Sequence, residues 1–273
     1  MSESPNQILR RHGLRPKKSW GQNFLGDERI LSAIARACTL VPGETAVELG
    51  AGLGHLTREL AATGANIVAV ERDRDLIPVL EKELPLPNVR VVAGNAAELR
   101  FAEAAGTSPV AVVGNLPYHL SSPIAFEVLH QRRDISRCIF LLQREVAVRL
   151  AAGPGSRDYG LLSVLLQLHA EIELVLEVPR GAFFPPPQVD SAVVRIDFLP
   201  RPRAEILDDA RFERLVKAAF GQRRKTLSNA LRAGKFEPEA ALAAAGIDGR
   251  RRAETLSPAE FAAIERALGP VEG

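Results

Sequence analysis

Short apolar runs, rich in Val, Ile and Leu, recur along the first half of the chain and alternate with more polar segments. Uninterrupted runs of this length are typical of strands that are buried on both faces of a sheet. The pattern therefore predicts five strands. They are TAVELG (45–50), ANIVAVE (65–71), VRVVAG (89–94), PVAVVGN (109–115) and SRCIFLL (136–142).

The segments between these runs place apolar residues three or four positions apart, as amphipathic helices do. Leu56 and Leu60 follow the first run in this way, and Ile124 and Val128 follow the fourth. Alternating strands and helices predict an α/β fold with a doubly wound parallel sheet. Two later strands, 171–179 and 191–200, have no helix between them and are expected to form an antiparallel pair at the sheet edge.

Beyond Pro200 and Pro202 the spacing of apolar residues is helical throughout, over 208–221, 222–234, 238–247 and 257–269. Ser257 with Glu260 three residues later is a helix-start signal. We therefore predict two domains. Residues 1–202 form the sheet domain with a basic N-terminal arm, and residues 203–273 form a small all-α domain.

Composition adds few constraints of its own. The chain has 273 residues and a formal net charge of +2, which does not by itself require a nucleic-acid partner. Cys38 and Cys138 belong to no metal-binding motif, so neither a disulfide framework nor a metal site is expected. The first twenty residues lack an apolar segment, and no apolar run has membrane-spanning length. We expect a cytoplasmic monomer.

Three glycines, Gly50, Gly52 and Gly54, follow the first predicted strand, where they allow the backbone to approach a ligand closely. Their G-x-G-x-G spacing is one residue tighter than the dinucleotide-binding motif and follows the acidic Glu48, which argues against NAD. Glu71 ends the second strand, where a carboxylate can accept hydrogen bonds from both ribose hydroxyls of an adenosine. Together these features favour S-adenosylmethionine as the cofactor.

The segment GNLPYHLSSP (114–123) begins where the fourth strand ends, so Asn115 should face the same crevice as the glycine turn. An exocyclic adenine amine is a poor nucleophile because its lone pair is delocalised into the ring. If the Asn115 side-chain oxygen and the Leu116 carbonyl accept its hydrogens, the lone pair is freed to attack a methyl group. Pro117 stiffens the loop, and Tyr118 can stack on the base.

A second aromatic ring is expected from AFFPPPQVDSAVV (182–194), where three prolines can hold a phenylalanine rigidly over the base. Either Phe183 or Phe184 can be this ring. The alternative is a proline-rich edge loop in which both phenylalanines belong to the core.

Basic residues cluster in two regions that we predict to bind RNA phosphates. Five crowd the first twenty positions against a single Glu3, and a second group opens a helix of the small domain. The predicted RNA-binding residues are Arg15, Lys17, Lys18, Arg223, Arg224 and Lys225.

With these motifs the chain resembles the ribosomal RNA adenine dimethyltransferases, and most closely the bacterial enzymes that modify two adjacent adenines near the 3′ end of small-subunit (16S) RNA. The resemblance covers nearly the whole chain. It rests on KKSWGQNFL (17–25), VELGAGLGHLT (47–57), VERD (70–73), GNLPYHLSSP (114–123), PGSRDYGLLSV (154–164), FFPPPQVDSAVV (183–194) and FGQRRKTLSNAL (220–231).

The resemblance implies a Rossmann-like, seven-stranded, S-adenosylmethionine-dependent fold and a set of residue roles. Asn23 and Leu25 would close over the cofactor, Gly50 would lie along it, and Glu71 would hold its ribose. The implied catalytic residues are Asn115, Leu116, Tyr118 and, as the stacking ring, Phe183.

Four positions depart from the usual family residues. Asn95 replaces Asp, His119 replaces Asn, Gln188 replaces Lys, and Trp20 replaces Phe. The Asn95 amide oxygen can still accept from the adenine of the cofactor but lacks a charge, so we expect weakened rather than abolished cofactor binding.

The implied activity is dimethylation of both adenosines during small-subunit biogenesis. It can stop at two methyl groups because a dimethylated amine has no hydrogen left to donate to the loop. Three alternatives share these features. They are an rRNA-binding assembly factor whose methylation is secondary, a large-subunit rRNA adenine methylase, and a DNA adenine methylase; the C-terminal FGQRRKTLSNAL favours the small-subunit group.

Overall fold

The computed structural model describes residues 3–222 and 224–269. Within them, a seven-stranded sheet with flanking helices confirms the predicted α/β class, and a separate two-stranded sheet accompanies it. The strands are β1 (Phe24–Leu25), β2 (Thr45–Leu49), β3 (Asn66–Glu71), β4 (Val89–Ala93), β5 (Val110–Asn115), β6 (Ile135–Gln143), β7 (Ala170–Val178), β8 (Phe183–Phe184) and β9 (Ser191–Phe198).

Helices precede, connect and follow these strands. They are α1 (Pro5–Arg11), α2 (Glu28–Cys38), α3 (His55–Ala61), α4 (Ile77–Glu83), α5 (Phe101–Ala105), α6 (Ser121–His130), α7 (Arg144–Ala151), α8 (Leu161–His169), α9 (Asp209–Gly221), α10 (Leu227–Ala233), α11 (Pro238–Ala244) and α12 (Pro258–Ala267). Short 3₁₀ helices occur at Lys18–Trp20, Tyr118–Leu120, Arg132–Asp134, Arg180–Ala182 and Ala253–Thr255.

The large sheet has the order β4-β3-β2-β5-β6-β9-β7. Its first five strands pair in parallel, and all five coincide with the predicted apolar runs. The two late strands lie at one edge, as predicted, but β9 is inserted between β6 and β7 and pairs with β6 in antiparallel fashion.

The chain packs as two compact units. The first comprises Met1–Ala147 and Glu173–Phe198, and the second comprises Val148–Ile172 and Leu199–Gly273. Residues 148–172 therefore pack with the C-terminal helices although the sequence places them among the strands. The division into domains at residue 202 remains a prediction about independently folding parts of the chain.

The core of the first unit lies between the sheet and its helices. Leu31, Ile34 and Cys38 of α2 are buried together with Leu56 and Leu60 of α3 against the sheet residues, which explains their three- to four-residue spacing. None of the helices that the structure describes combines the length and the apolar character needed to cross a membrane.

The second unit carries the predicted helix-start signal in full. Ser257 Oγ accepts from the backbone N–H of Glu260 at 3.2 Å, and the Glu260 carboxylate accepts from the N–H of Ser257 at 2.7 Å. Within the same unit, a buried ion pair joins α9 to α12 through Arg211 and Glu265, with 2.5 Å between Nη2 and Oε1.

The N-terminal segment is fixed to the first unit rather than extended as a free arm. Ile8 and Leu9 of α1 are buried in a small apolar cluster with Leu53, which lies within the glycine turn. β1 then pairs with β8 in antiparallel fashion, with Leu25 opposite Phe183. This pairing holds the segment around Asn23 beside the carboxyl ends of the central strands.

Candidate active site

A cavity of about 330 Å³ lies at the carboxyl ends of β2, β3, β4 and β5. β3 and β5 flank β2 on opposite sides, so the chain connections diverge here and leave a crevice of the kind in which open α/β sheets bind ligands. Each strand end contributes lining residues. They are Gly50 and Gly52 after β2, Glu71 from β3, Asn95 after β4 and Asn115 from β5.

The glycine turn between β2 and α3 has a backbone that only glycine adopts easily. Gly50 has φ 72° and Gly52 has φ 58°, both in the left-handed region. A Cβ on Gly52 would also stand 3.2 Å from the Phe24 ring. The turn therefore brings bare backbone to the cavity wall.

Both oxygens of the Glu71 carboxylate accept backbone hydrogen bonds. Oε2 accepts from Gly52 N–H at 2.8 Å, and Oε1 accepts from Asp73 N–H at 2.8 Å. Burial raises the pKa of this carboxyl group, although the two N–H donors oppose the shift. Each oxygen keeps a lone pair that can accept from a ligand hydroxyl at the cavity.

Glu48 is a cavity residue for which the sequence analysis proposed no role. It is buried, it lines the cavity, and its Oε2 has no hydrogen-bond partner among the described residues. Burial raises the pKa of Glu48 to about 8; the nearby Thr57 hydroxyl opposes this shift, and the charge of Glu71 acts in the same direction as burial. A charged residue within the apolar run of β2 was the sequence signal for it.

Asn115 is oriented by the N-terminal segment. Its Nδ2 donates to the Asn23 carbonyl at 3.0 Å, so the Oδ1 atom on the other side of the amide is left to accept hydrogens. Leu116 follows, with its N–H bonded to the Leu141 carbonyl of β6 at 3.2 Å. Among the described residues, no hydrogen bond engages the Leu116 carbonyl oxygen.

Tyr118 lines the cavity beside this loop and is held at its hydroxyl end. Its Oη lies 3.0 Å from Oγ of Ser191, the fully buried first residue of β9. Burial raises the pKa of Tyr118, and the charge of Asp190 acts in the same direction. The ring position is therefore fixed from β9, by a serine that sequence analysis did not single out.

Lys17 has an intramolecular role that its sequence position did not reveal. Its ammonium lies 2.6 Å from Asp73 and 2.6 Å from Asp75, just after β3. Gln22 donates to the other oxygen of Asp73 at 2.7 Å. Although burial acts in the opposite direction, these donors lower the pKa of Asp73. The N-terminal segment is thereby tied to the loop that follows Glu71.

Trp20, the single tryptophan of the chain, stands at the edge of the cavity with 37% of its surface exposed. The Lys17 ammonium and the Arg72 guanidinium lie 5.1 and 5.2 Å from its ring centroid. Its position makes it an intrinsic fluorescent reporter of the cavity.

The remaining predicted site residues divide into two groups. Leu25, Asn95 and Pro117 line the cavity, as does His119. The Asn95 amide donates to Glu98 at 2.6 Å, and its oxygen accepts from the Ala97 N–H at 3.3 Å. Phe183 is not among the residues that line this cavity; it is buried in the core, opposite Leu25 in the two-stranded sheet. Its role as a stacking ring stays a prediction.

The predicted RNA-binding residues are spread over both units. Arg15 and Lys18 are exposed in the first unit, and Arg224 and Lys225 are exposed in the second. Arg223 lies outside the described residues. No group of three or more His, Cys, Asp or Glu side chains within 3–222 and 224–269 is arranged to hold a metal ion.

A glycine turn, a strand-ending carboxylate and an asparagine loop at the central crevice of a seven-stranded sheet define a methyltransferase of the Rossmann-like class. The family model described as ribosomal RNA adenine dimethylase matches residues 13–269, and the chain belongs to that family. Family membership confirms the expectation of a methyltransferase that acts on ribosomal RNA.

Individual relatives agree over nearly their whole length. Ribosomal RNA small subunit methyltransferase A of Myxococcus xanthus (strain DK1622) is 62% identical, with 98% of this chain and 96% of the relative covered. The protein of the same name from Moorella thermoacetica is 46% identical, with 96% and 95% covered.

Solved structures agree as well. The 23S rRNA methyltransferase ErmE superposes with a TM-score of 0.72 at 29% identity, covering 91% of this chain and all of that one. A dimethyladenosine transferase from Plasmodium falciparum gives a TM-score of 0.75 at 22% identity, covering 88% of this chain and 95% of that one, and supports the fold.

Proposed function

We propose that the protein transfers methyl groups from S-adenosylmethionine to the exocyclic amines of two adjacent adenosines near the 3′ end of 16S ribosomal RNA. The observation that carries the proposal is the Asn115 amide at the end of β5, which Asn23 holds with its oxygen left to accept. The names of the relatives from Myxococcus xanthus and Moorella thermoacetica support the small subunit as the substrate.

The cavity has the groups that this cofactor needs. When bound, S-adenosylmethionine supplies an electrophilic methyl group on a positively charged sulfur. Glu71 accepts from the ribose hydroxyls with its remaining lone pairs, and the backbone of Gly50 and Gly52 lies along the cofactor. Glu48 has a buried oxygen without a protein partner, and the ammonium group of the cofactor would pair with its ionised form and offset the burial that otherwise keeps it protonated.

Two further residues complete the cofactor site. Asn95 holds the adenine amino group through its amide oxygen, without the charge of an aspartate. Asn23 and Leu25 cover the cofactor from the N-terminal segment, which the Lys17 ion pairs hold in place. We assign Lys17 this positioning role in preference to RNA contact.

The target adenine binds between Tyr118 and the Asn115 loop. Its amino hydrogens donate to Asn115 Oδ1 and to the Leu116 carbonyl, which draws the nitrogen toward tetrahedral geometry and aims its lone pair at the methyl group. The bound cofactor would supply its methyl group to this lone pair, and the two acceptors of the loop would hold the amine while its extra proton leaves to solvent. Preorganised acceptors of this kind lower the barrier because they need no rearrangement during the reaction.

The exposed basic residues bind the RNA backbone in this proposal. Arg15 and Lys18 contact phosphates from the first unit, and Arg224 and Lys225 do so from the helical domain at 203–273. The protein acts in the cytoplasm as a monomer. Phe183 contributes a second ring only if its side chain leaves the core on RNA binding.

A direct test is to incubate immature small subunits with methyl-labelled S-adenosylmethionine and to map the label along the RNA. We expect label on the amino nitrogens of two adjacent adenosines near the 3′ end of 16S RNA, up to two methyl groups on each. Large subunits and DNA hairpins, treated identically, distinguish the other methylases. Label in those substrates but not in small subunits would overturn the proposal.

A further inference from the structure

A second cavity, of about 430 Å³, lies in the first unit at the carboxyl end of β6. One side is lined by Gln143, Arg144 and Glu145, where β6 passes into α7, and none of these residues lines the first cavity. The loop that leads into β9 forms the other side. It contributes Arg180, Gln188, Val189 and Asp190.

The polar lining of this cavity suits a nucleobase better than a phosphate. Two guanidinium groups are balanced by two carboxylates, so the formal charge gives little attraction for an anion. Arg, Gln and carboxylate side chains are instead the groups that recognise the donor and acceptor edges of bases, which in RNA are open mainly in unpaired nucleotides.

Hydrogen bonds hold this lining in place. Arg144 Nε lies 2.9 Å from Oε1 of Glu177, and the backbone N–H of Arg180 donates to Asp190 Oδ1 at 2.9 Å. The backbone N–H of Arg144 also donates to the Asp190 carbonyl at 3.0 Å, and this bond joins the two sides of the cavity. The arginine side chains themselves are exposed and face solvent where RNA can reach them.

The second cavity adjoins the catalytic loop. Tyr118 of the first cavity bonds to Ser191, which is next to Asp190 and lies opposite Gln143 in the sheet. Asn115 lies opposite Leu141 on β6. Gln143 is two residues further along that strand, so strand spacing and rise place the Cα atoms of Asn115 and Gln143 about 8 Å apart. An unstacked neighbouring nucleotide spans such a distance.

We propose that the second cavity binds the unpaired base that adjoins the target adenosine and hydrogen-bonds to its edge. The proposal rests on the proposed function, because it requires a target adenine at Tyr118. The cavity selects which adenosine is presented to Asn115, through the identity of its neighbour.

The test compares Arg144→Gln and Arg180→Gln with a matched control, Arg133→Gln. Arg133 is an exposed arginine in the segment that precedes β6, so it lies at the amino end of that strand, whereas the second cavity lies at its carboxyl end. Each enzyme methylates immature small subunits that carry either the natural bases or replaced bases on the two sides of the target adenosines. The kcat/KM values are measured at several salt concentrations, and Trp20 fluorescence reports cofactor binding.

We expect Arg180→Gln or Arg144→Gln to lower kcat/KM for the natural substrate by about 5- to 100-fold and to reduce discrimination against one replaced neighbour. Cofactor binding and the salt dependence should match those of Arg133→Gln. An equal loss for every neighbouring base, with a salt slope reduced by about one, would indicate a phosphate contact and overturn the proposal.

Two other outcomes are equally decisive. If both variants behave like Arg133→Gln on every substrate, the cavity does not contact the RNA and the inference fails while the proposed function stands. If the wild-type protein does not methylate the small subunit at all, the proposed function itself fails.

Discussion

Two buried carboxylates at the cavity edge differ in how the protein satisfies them. Glu71 has both oxygens paired with backbone N–H groups, whereas Glu48 keeps one oxygen without a partner. Folding alone does not favour such an oxygen, because burial of an unpaired polar atom costs about 1 to 3 kcal/mol. A ligand with a cationic group removes that cost, so the two carboxylates are the strongest residue-level support for the cofactor.

Replacement of Glu71 tests the ribose contact. Glu71→Gln replaces one acceptor oxygen with an amide donor, and we expect the affinity for S-adenosylmethionine to fall by about 10- to 100-fold. A titration monitored by Trp20 fluorescence measures it. Glu81→Gln, an exposed position on α4, is the matched control. Equal affinity of the two variants would contradict the ribose assignment.

The pH dependence of the free energy of unfolding, compared with that of Glu48→Gln, tests whether Glu48 is buried and protonated. Its pKa of about 8 lies above the ordinary 4.5, so the folded protein keeps a proton that the unfolded chain releases. The contribution of this group to the free energy of unfolding is therefore fully present below about pH 4.5 and is lost as the pH rises toward 8. The free energy of unfolding, measured with urea, should therefore fall relative to that of Glu48→Gln by up to about 1.4 kcal/mol per pH unit over this window. Parallel pH profiles would rule out a buried, protonated Glu48.

At the scale of elements, predictability follows from how local the signal is. The five parallel strands and the glycine turn can be predicted because each has its pattern within one short stretch of sequence. β1 and β8 do not, because two residues carry no periodicity and their pairing joins positions that lie far apart in the chain. The insertion of β9 between β6 and β7 is equally a matter of long-range pairing.

The junction of α9 with α12 gives a prediction for the second unit. Glu265 is fully buried and accepts from Arg211, and its two oxygens also accept the N–H groups of Leu207 and Asp208 at 2.8 and 3.1 Å. Glu265→Ala should destabilise this unit by about 3 to 5 kcal/mol, because it leaves the buried Arg211 guanidinium without its carboxylate partner. Urea unfolding followed by circular dichroism measures the effect.

A surface ion pair of the same unit supplies the comparison. Arg232 and Glu239 pair with 53% and 58% of their side chains exposed. Glu239→Ala should cost at most about 1 kcal/mol, because water solvates both charges in the unfolded and folded chain. Similar losses for Glu239→Ala and Glu265→Ala would show that the Arg211 pair contributes less than its burial implies.

For the whole molecule, the sequence predicted the fold class and most of the cavity but not the side-chain pairing within it. Gly50, Glu71, Asn95 and Asn115 meet because parallel strands bring their carboxyl ends to one edge, which is a consequence of topology. The partners of Lys17 and Tyr118 depend on packing between distant segments, so no local pattern announces them. The ion pairs of Lys17 with Asp73 and Asp75 were therefore not foreseen, and its predicted RNA contact stays a prediction.

The central claim is that the Asn115 amide, with the Leu116 carbonyl, prepares an adenine amine for methyl transfer. The most direct measurement is the rate of methyl transfer to immature small subunits by cofactor-saturated Asn115→Ala. The control is Asn66→Ala, at the amino end of β3 and so at the end of the strands away from the cavity. We predict a rate about 10²- to 10³-fold lower for Asn115→Ala, with its RNA binding intact and Trp20 still reporting cofactor binding. A rate for Asn115→Ala equal to that of Asn66→Ala would contradict the account.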